Sequence, residues 1–136
     1  MKNTVVLDAS AVLTYLHDEP GAEMVEEALS TKVCHVSAAN QAEVITKMLD
    51  KGMSPDSASA ILAELGYEVL NVTPADGQAA GHLRAATRPL GLSLGDRICL
   101  ALGHRMQATI LTADRPWLQL PKALGLDIVC VRPNVQ

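Results

Sequence analysis

The sequence predicts an alternating α/β domain built on a central parallel sheet of about five strands. Three observations predict it. Short runs rich in β-branched residues recur along the chain, separated by longer stretches with apolar residues at helical spacing. None of the short runs alternates clearly between apolar and polar residues, as expected when helices cover both faces of a parallel sheet. The 136 residues contain no repeat, low-complexity tract or dividing linker, so a single domain with one core is expected.

The elements follow in order. Thr4 to Leu7 is the first strand, ending at Asp8. A helix pair, Ser10 to His17 and Gly21 to Ser30, leads to a strand at Val33 to Val36. A second pair spans Ala38 to Lys51 and Pro55 to Leu65. Ser54 is placed to cap the latter, with proline at the first helical position, where a missing N–H costs nothing. Glu68 to Val72 reads as a strand, and Thr73 before Pro74 signals one long helix from Pro74 to Thr87. A helix from Gly95 to Gln107, a strand at Thr109 to Thr112, a short helix and a last strand at Ile128 to Val131 complete the chain. In the third helix Ala38, Ala42, Ile45, Met48 and Leu49 form the expected buried stripe, with Glu43 at its edge. In the helix after Gly95 the stripe is Ile98, Leu102 and Met106.

Composition narrows the classes. Hydrophobic residues at 49% and charged residues at 19% exclude disorder. No apolar run approaches the roughly 20 residues needed to span a bilayer, so no membrane association is expected. The first residues lack the pattern of a signal peptide, which makes a cytoplasmic location the expectation. Cys34, Cys99 and Cys130 are odd in number, widely spaced and in apolar contexts, and read as reduced core residues. His17, His35, His82 and His104 share no metal-binding spacing. Tyr15 and Trp117 read as core filler, with base stacking as the alternative. Net charge is −4, but unevenly spread: residues 1–80 carry 4 Lys/Arg against 12 Asp/Glu, and residues 81–136 carry 7 against 3. Arg84, Arg88, Arg97, Arg105 and Arg115 are either solvated helix faces or a phosphate-facing surface near the acids described next.

Four carboxylates carry the chemistry. Asp8 and Asp114 follow apolar strand patterns, Glu43 lies early in a helix, and Asp96 opens another. Each alone has an ordinary explanation: Asp8 and Asp114 as helix caps, Glu43 as a surface residue, Asp96 as a partner of the helix dipole. As a set they point elsewhere. If the strands ending in Asp8 and Asp114 are neighbours, their carboxyl ends meet at the edge where open α/β sheets bind ligands, and the helices bearing Glu43 and Asp96 can flank the crevice. Hard oxygen ligands without His or Cys suit magnesium or manganese, not zinc. Ser10 and Thr112, two residues from Asp8 and Asp114, can orient a ligand carboxylate or a metal-bound water, or serve only as a cap and a strand end. Gly-rich nucleotide-binding signatures are missing.

Val6-Leu7-Asp8-Ala9-Ser10, Asn40-Gln41-Ala42-Glu43-Val44, Leu94-Gly95-Asp96-Arg97-Ile98 and Leu111-Thr112-Ala113-Asp114-Arg115, in that order, resemble PIN-domain ribonucleases of the VapC toxin type. The resemblance runs from Val5 to about Val131. It implies a three-layer α/β/α fold, magnesium-dependent endonucleolytic cleavage of RNA, a cognate antitoxin and a homodimer. By the same carry-over Asp8, Glu43, Asp96 and Asp114 are the catalytic, metal-binding acids and Thr112 matches the hydroxyl before the last of them, while spacing alone adds Ser10 as a supporting hydroxyl and the basic half of the chain adds Arg84, Arg88, Arg97 and Arg115 as candidate RNA contacts. One departure stands out: many family members carry another acid just after the Asp114 position, where this chain has Arg115, Pro116 and Trp117. A metal-bound water as nucleophile implies 5′-phosphate and 3′-hydroxyl products. The competing readings are a phosphotransferase using Asp8 as nucleophile, which would want an acid where Ser10 stands, a non-catalytic PIN-like binding module, and a nuclease acting on DNA.

Overall fold

The computed structural model describes residues 3–133. Among them, β1 (Thr4–Leu7), β2 (Val33–Ser37), β3 (Glu68–Leu70), β4 (Thr109–Thr112) and β5 (Asp127–Cys130) form one parallel sheet in the order β3-β2-β1-β4-β5. The chain winds outward from β1 through β2 to β3, then returns to the other side of β1 for β4 and β5. The reversal falls between β1 and β4, and a crevice opens at the carboxyl ends of strands at such a point.

Helices cover both faces. On one, α1 (Ala9–Leu16), α2 (Ala22–Thr31), α3 (Ala38–Asp50) and α4 (Pro55–Ala63) bury Val12, Val25, Val44, Met48 and Leu62 against Val5, Leu7 and Leu111 of the sheet. On the other, α7 (Leu94–Met106) buries Cys99, Leu100 and Leu102 against Val6 and Ile110, with Trp117 completing that core. The result is the three-layer α/β/α arrangement. Val6, Leu7 and Ile110 have no solvent exposure, and burying such a side chain is worth about 1.5–3 kcal/mol. A one-residue slip of β1 would exchange its two buried faces, so the pairing of Leu7 with Leu111 is firmly set.

Several elements depart from expectation. The long helix over 74–87 is two pieces, α5 (Pro74–His82) and α6 (Arg84–Thr87), followed by a 3-10 turn at Arg88–Leu90. Gly77 and Gly81 weaken that stretch, and Pro89 has no N–H with which to continue it. β3 stops at Leu70, two residues short, because its partner β2 ends at Ser37, whose side chain caps α3 by accepting from Asn40 N–H. The buried positions of α3 are Asn40, Val44 and Met48, whereas Ala38, Ala42 and Leu49 are exposed. The expected stripe is thus rotated around the helix, because a polar residue, Asn40, occupies the core face. α7 is buried at every position from Ile98 to Gly103, not along one stripe, because it packs on β1, β2 and β4 from one side and on α3 and α5 from others. The three cysteines are free thiols, Trp117 is core, and no described helix is long and apolar enough to cross a membrane.

Candidate active site

Pairing of β1 with β4 puts Asp8 level with Thr112, and Asp8 N–H donates to the Leu111 carbonyl at 3.1 Å. Here the chain leaves β1 and turns into α1. Asp8 is therefore a cap as well as a site residue: its Oδ1 accepts from Ala11 N–H at 2.8 Å. Two hydroxyls also bond to it. Ser10 donates across both carboxylate oxygens at 2.8 and 2.9 Å, and Thr112 donates to Oδ2 at 2.6 Å. Each hydroxyl in turn accepts from the backbone after β4, Ser10 from Ala113 N–H at 2.9 Å and Thr112 from Asp114 N–H at 3.0 Å. The two strand ends are stitched together through one carboxylate.

Asp8 is 2% exposed. Burial pushes its carboxyl up to about 6, an effect the bonds from Thr112, Ala11 and Ser10 oppose and the nearby charge of Asp96 reinforces. Asp96 stands in the first turn of α7 in a reciprocal capping box: it accepts from Ser93 N–H at 2.9 Å while the Ser93 hydroxyl accepts from Asp96 N–H at 3.2 Å. Asp114 precedes the 3-10 turn Arg115–Gln119, and its side chain makes no capping bond there. Glu43 accepts from Asn40 Nδ2 at 2.6 Å. Beneath the acids, burial raises the Cys99 thiol well above its ordinary range, and the charges of Asp8, Asp96 and Glu43 add to that. A single buried thiol feels three of the four carboxylates.

All four acids line one open cleft of about 370 Å³, together with Ser10, Leu13, Ala113, Lys47 and Arg132. The four come from four different elements, as the crevice argument requires. The arginines are distributed otherwise. Arg84 and Arg88 border a separate hollow with His82 and Pro89, Arg97 donates to the Ala80 carbonyl at 2.9 Å, and Arg105 grips buried Asp76 with two bonds of 2.8 and 3.0 Å. Arg115 donates to the Arg132 carbonyl at 2.7 Å and borders a hollow beside α2. The cations of the cleft wall are instead Lys47 and Arg132. Lys47 was within reach of sequence reasoning, since it lies four residues beyond Glu43 on the same helix face. Arg132, two residues beyond β5, shares the strand-end logic of Asp8 and Asp114.

The donor set, all carboxylates around one cleft, suits a hard divalent cation in its chemistry. It does not amount to finished coordination: among the described residues, no three His, Cys, Asp or Glu groups stand close enough together to hold an ion as placed.

The model of the PIN domain matches residues 5–123, and the chain belongs to the PIN domain family. No curated protein matches it in sequence. Solved structures share its fold. A toxin–antitoxin complex from Klebsiella pneumoniae is 14% identical with a TM-score of 0.73, covering 96% of this chain and 99% of that one. VapBC2 from Rickettsia felis, bound to a DNA fragment from its promoter, is 14% identical with a TM-score of 0.72 over 93% and 98%. VapC20 from Mycobacterium tuberculosis, a Sarcin-Ricin loop cleaving toxin, is 18% identical with a TM-score of 0.70 over 95% and 99%.

Proposed function

We propose that this PIN domain is a magnesium-dependent endoribonuclease and the toxin of a toxin–antitoxin pair. The observation that carries the proposal is the convergence of Asp8, Glu43, Asp96 and Asp114, with no His or Cys among the lining residues, on one cleft at the sheet's switch point. These four residues would hold magnesium, or manganese in its place. Such an ion supplies charge to offset that building on a phosphate and lowers the pKa of an attacking water. The chain's own groups prepare for this. Ser10 and Thr112 fix both Asp8 oxygens, leaving little freedom for the carboxylate to lose on binding. The capping box holds Asp96 at the rim. Lys47 and Arg132 offer positive charge to the phosphates of a strand crossing the cleft, without base discrimination.

The proposed antitoxin and a second copy of the chain are carried by resemblance to toxin–antitoxin complexes. One local feature agrees with a partner beside the cleft. A hollow lined by Glu23, Met24, Glu27 and Arg115 adjoins it, with Arg132 common to both. A second reading, a non-catalytic PIN-like binding module, is favoured by the spread of the acids.

The deciding experiment incubates the purified chain, free of partner, with structured and unstructured RNAs and a single-stranded DNA control, with magnesium or with EDTA. Cleavage of RNA only with magnesium, leaving 5′-phosphate ends, is expected. Asp8→Asn and Asp96→Asn should each abolish it while the circular dichroism spectrum is kept, since each removes one charge at nearly constant volume. Cleavage that persists in either variant overturns the metal assignment, and binding without cleavage by the parent establishes the module reading.

A further inference from the structure

Asn40 is a fully buried polar side chain beside the site, with no solvent exposure. Its carboxamide nitrogen donates to Glu43 Oε1 at 2.6 Å and to the Gly95 carbonyl at 3.3 Å. Both neighbours are acceptors, so the nitrogen and not the oxygen must face them. Among the described residues the carboxamide oxygen, buried, has no partner. A leucine or alanine would avoid that cost, so the bonds made by the nitrogen have to offset it. A second observation comes from the other side. A methyl group at position 95 would lie 2.6 Å from both Glu43 carboxylate oxygens, closer than real contacts allow. Glu43 therefore occupies the space that only glycine leaves open at the start of α7, one residue before Asp96.

We propose that Asn40 and Gly95 are positioning residues for the acid site: Asn40 ties the Glu43 carboxylate to the first turn of α7, and Gly95 makes room for it, so that Glu43 and Asp96 face the cleft as a pair. The inference rests on the reading of the cleft as a cation site and deepens it. Neither residue touches substrate; both act through Glu43. Asn40 and Glu43 lie three residues apart on one face of α3, so an intact helix keeps the two side chains within reach of each other. Contact with Gly95 links two acids borne on separate elements.

The test measures manganese binding to the metal-free protein by electron paramagnetic resonance, together with kcat and KM for RNA. Asn40→Ser shortens the side chain so that its hydroxyl cannot reach Glu43. Gly95→Ala displaces the end of a flexible side chain, so the fold tolerates it and only the carboxylate moves. Each variant should weaken manganese binding by about 10–100-fold, the range for groups that orient metal ligands, and lower kcat with little change in KM. In a Glu43→Gln background, adding Asn40→Ser should cost nothing further, because its effect runs through the carboxylate already removed. Parental manganese affinity in a folded Gly95→Ala or Asn40→Ser protein overturns the inference and leaves the cation reading intact. Additive losses in the double variant also overturn it, by showing a role independent of Glu43. Failure of the parent itself to bind manganese overturns both.

Discussion

Asp8 serves three purposes at once: it caps α1, links β1 to β4 through two hydroxyls, and lines the acid cleft. Burial is the cost, and it has a direction. An unfolded Asp titrates near 3.8, whereas burial raises the folded group to about 6. Between those values the folded state holds a proton that the unfolded state has released, so this group withdraws stability as pH rises through the window. By about pH 7 the penalty approaches about 3 kcal/mol, at 1.36 kcal/mol for each pKa unit. Asp8→Asn keeps the capping oxygen and escapes the penalty. In EDTA its melting temperature should match the parent's at about pH 4 and exceed it most at about pH 7. An advantage that does not grow with pH would mean that Asp8 pays no burial cost. Asp8 was legible in the sequence because an acid at a strand end that opens a helix reads either as a cap or as part of a cleft, and here it is both. Asn40 was not, because a polar residue in an amphipathic pattern is assigned to the solvent face. Its burial depends on a carboxylate three residues on and a glycine in another element.

At the scale of elements, α7 holds the molecule together. Its Gly103 lies against Ile110 of β4, and a methyl group there would overlap that side chain. Ile110 is fully buried and branched at Cβ, so it cannot swing aside. Gly103→Ala should destabilise the protein, since overpacking costs about 1–3 kcal/mol and the better helix propensity of alanine returns only about 1 kcal/mol. Urea denaturation would show a lower midpoint at unchanged slope; an equal or higher midpoint would show slack between helix and sheet. The tight approach also explains what periodicity could not reveal about α7. Helical spacing marks Ile98 and Leu102, but Cys99, Leu100, Ala101 and Gly103 are buried by neighbours distant in sequence. Strand positions, by contrast, were visible within one or two residues, since buried parallel strands are short continuous apolar runs. Their ends shifted where a partner strand stopped, as at Leu70, and no local signal records that.

Across the whole molecule, the charge asymmetry acquires a place. Asp76, near the start of α5, holds Arg105 near the end of α7, while Ala80 later in α5 accepts from Arg97 near the start of α7. The two helices are antiparallel. Burial alone would raise the Asp76 carboxyl, yet its bonds from Arg105 and Thr73 hold it below the usual range, so the brace stays charged. The end of α5 thus lies beside the first turn of α7, where Asp96 lines the cleft, and α6 begins there. Arg84 and Arg88, both exposed at i and i+4, belong to that end of the molecule although they border a hollow of their own. An RNA strand leaving the cleft over α6 would meet them after the scissile phosphate, as charge without base identity. Changing both to alanine should weaken RNA binding by a similar factor for every sequence and reduce the slope of log affinity against log salt by about 1–2. Cleavage at saturating RNA should fall less than affinity, because contacts equal in ground and transition states leave kcat alone. Filter binding across a salt series checks this. If the double variant retains parental affinity at low salt as well as high, Arg84 and Arg88 are a solvated helix face, and the substrate path runs over Lys47 and Arg132 only.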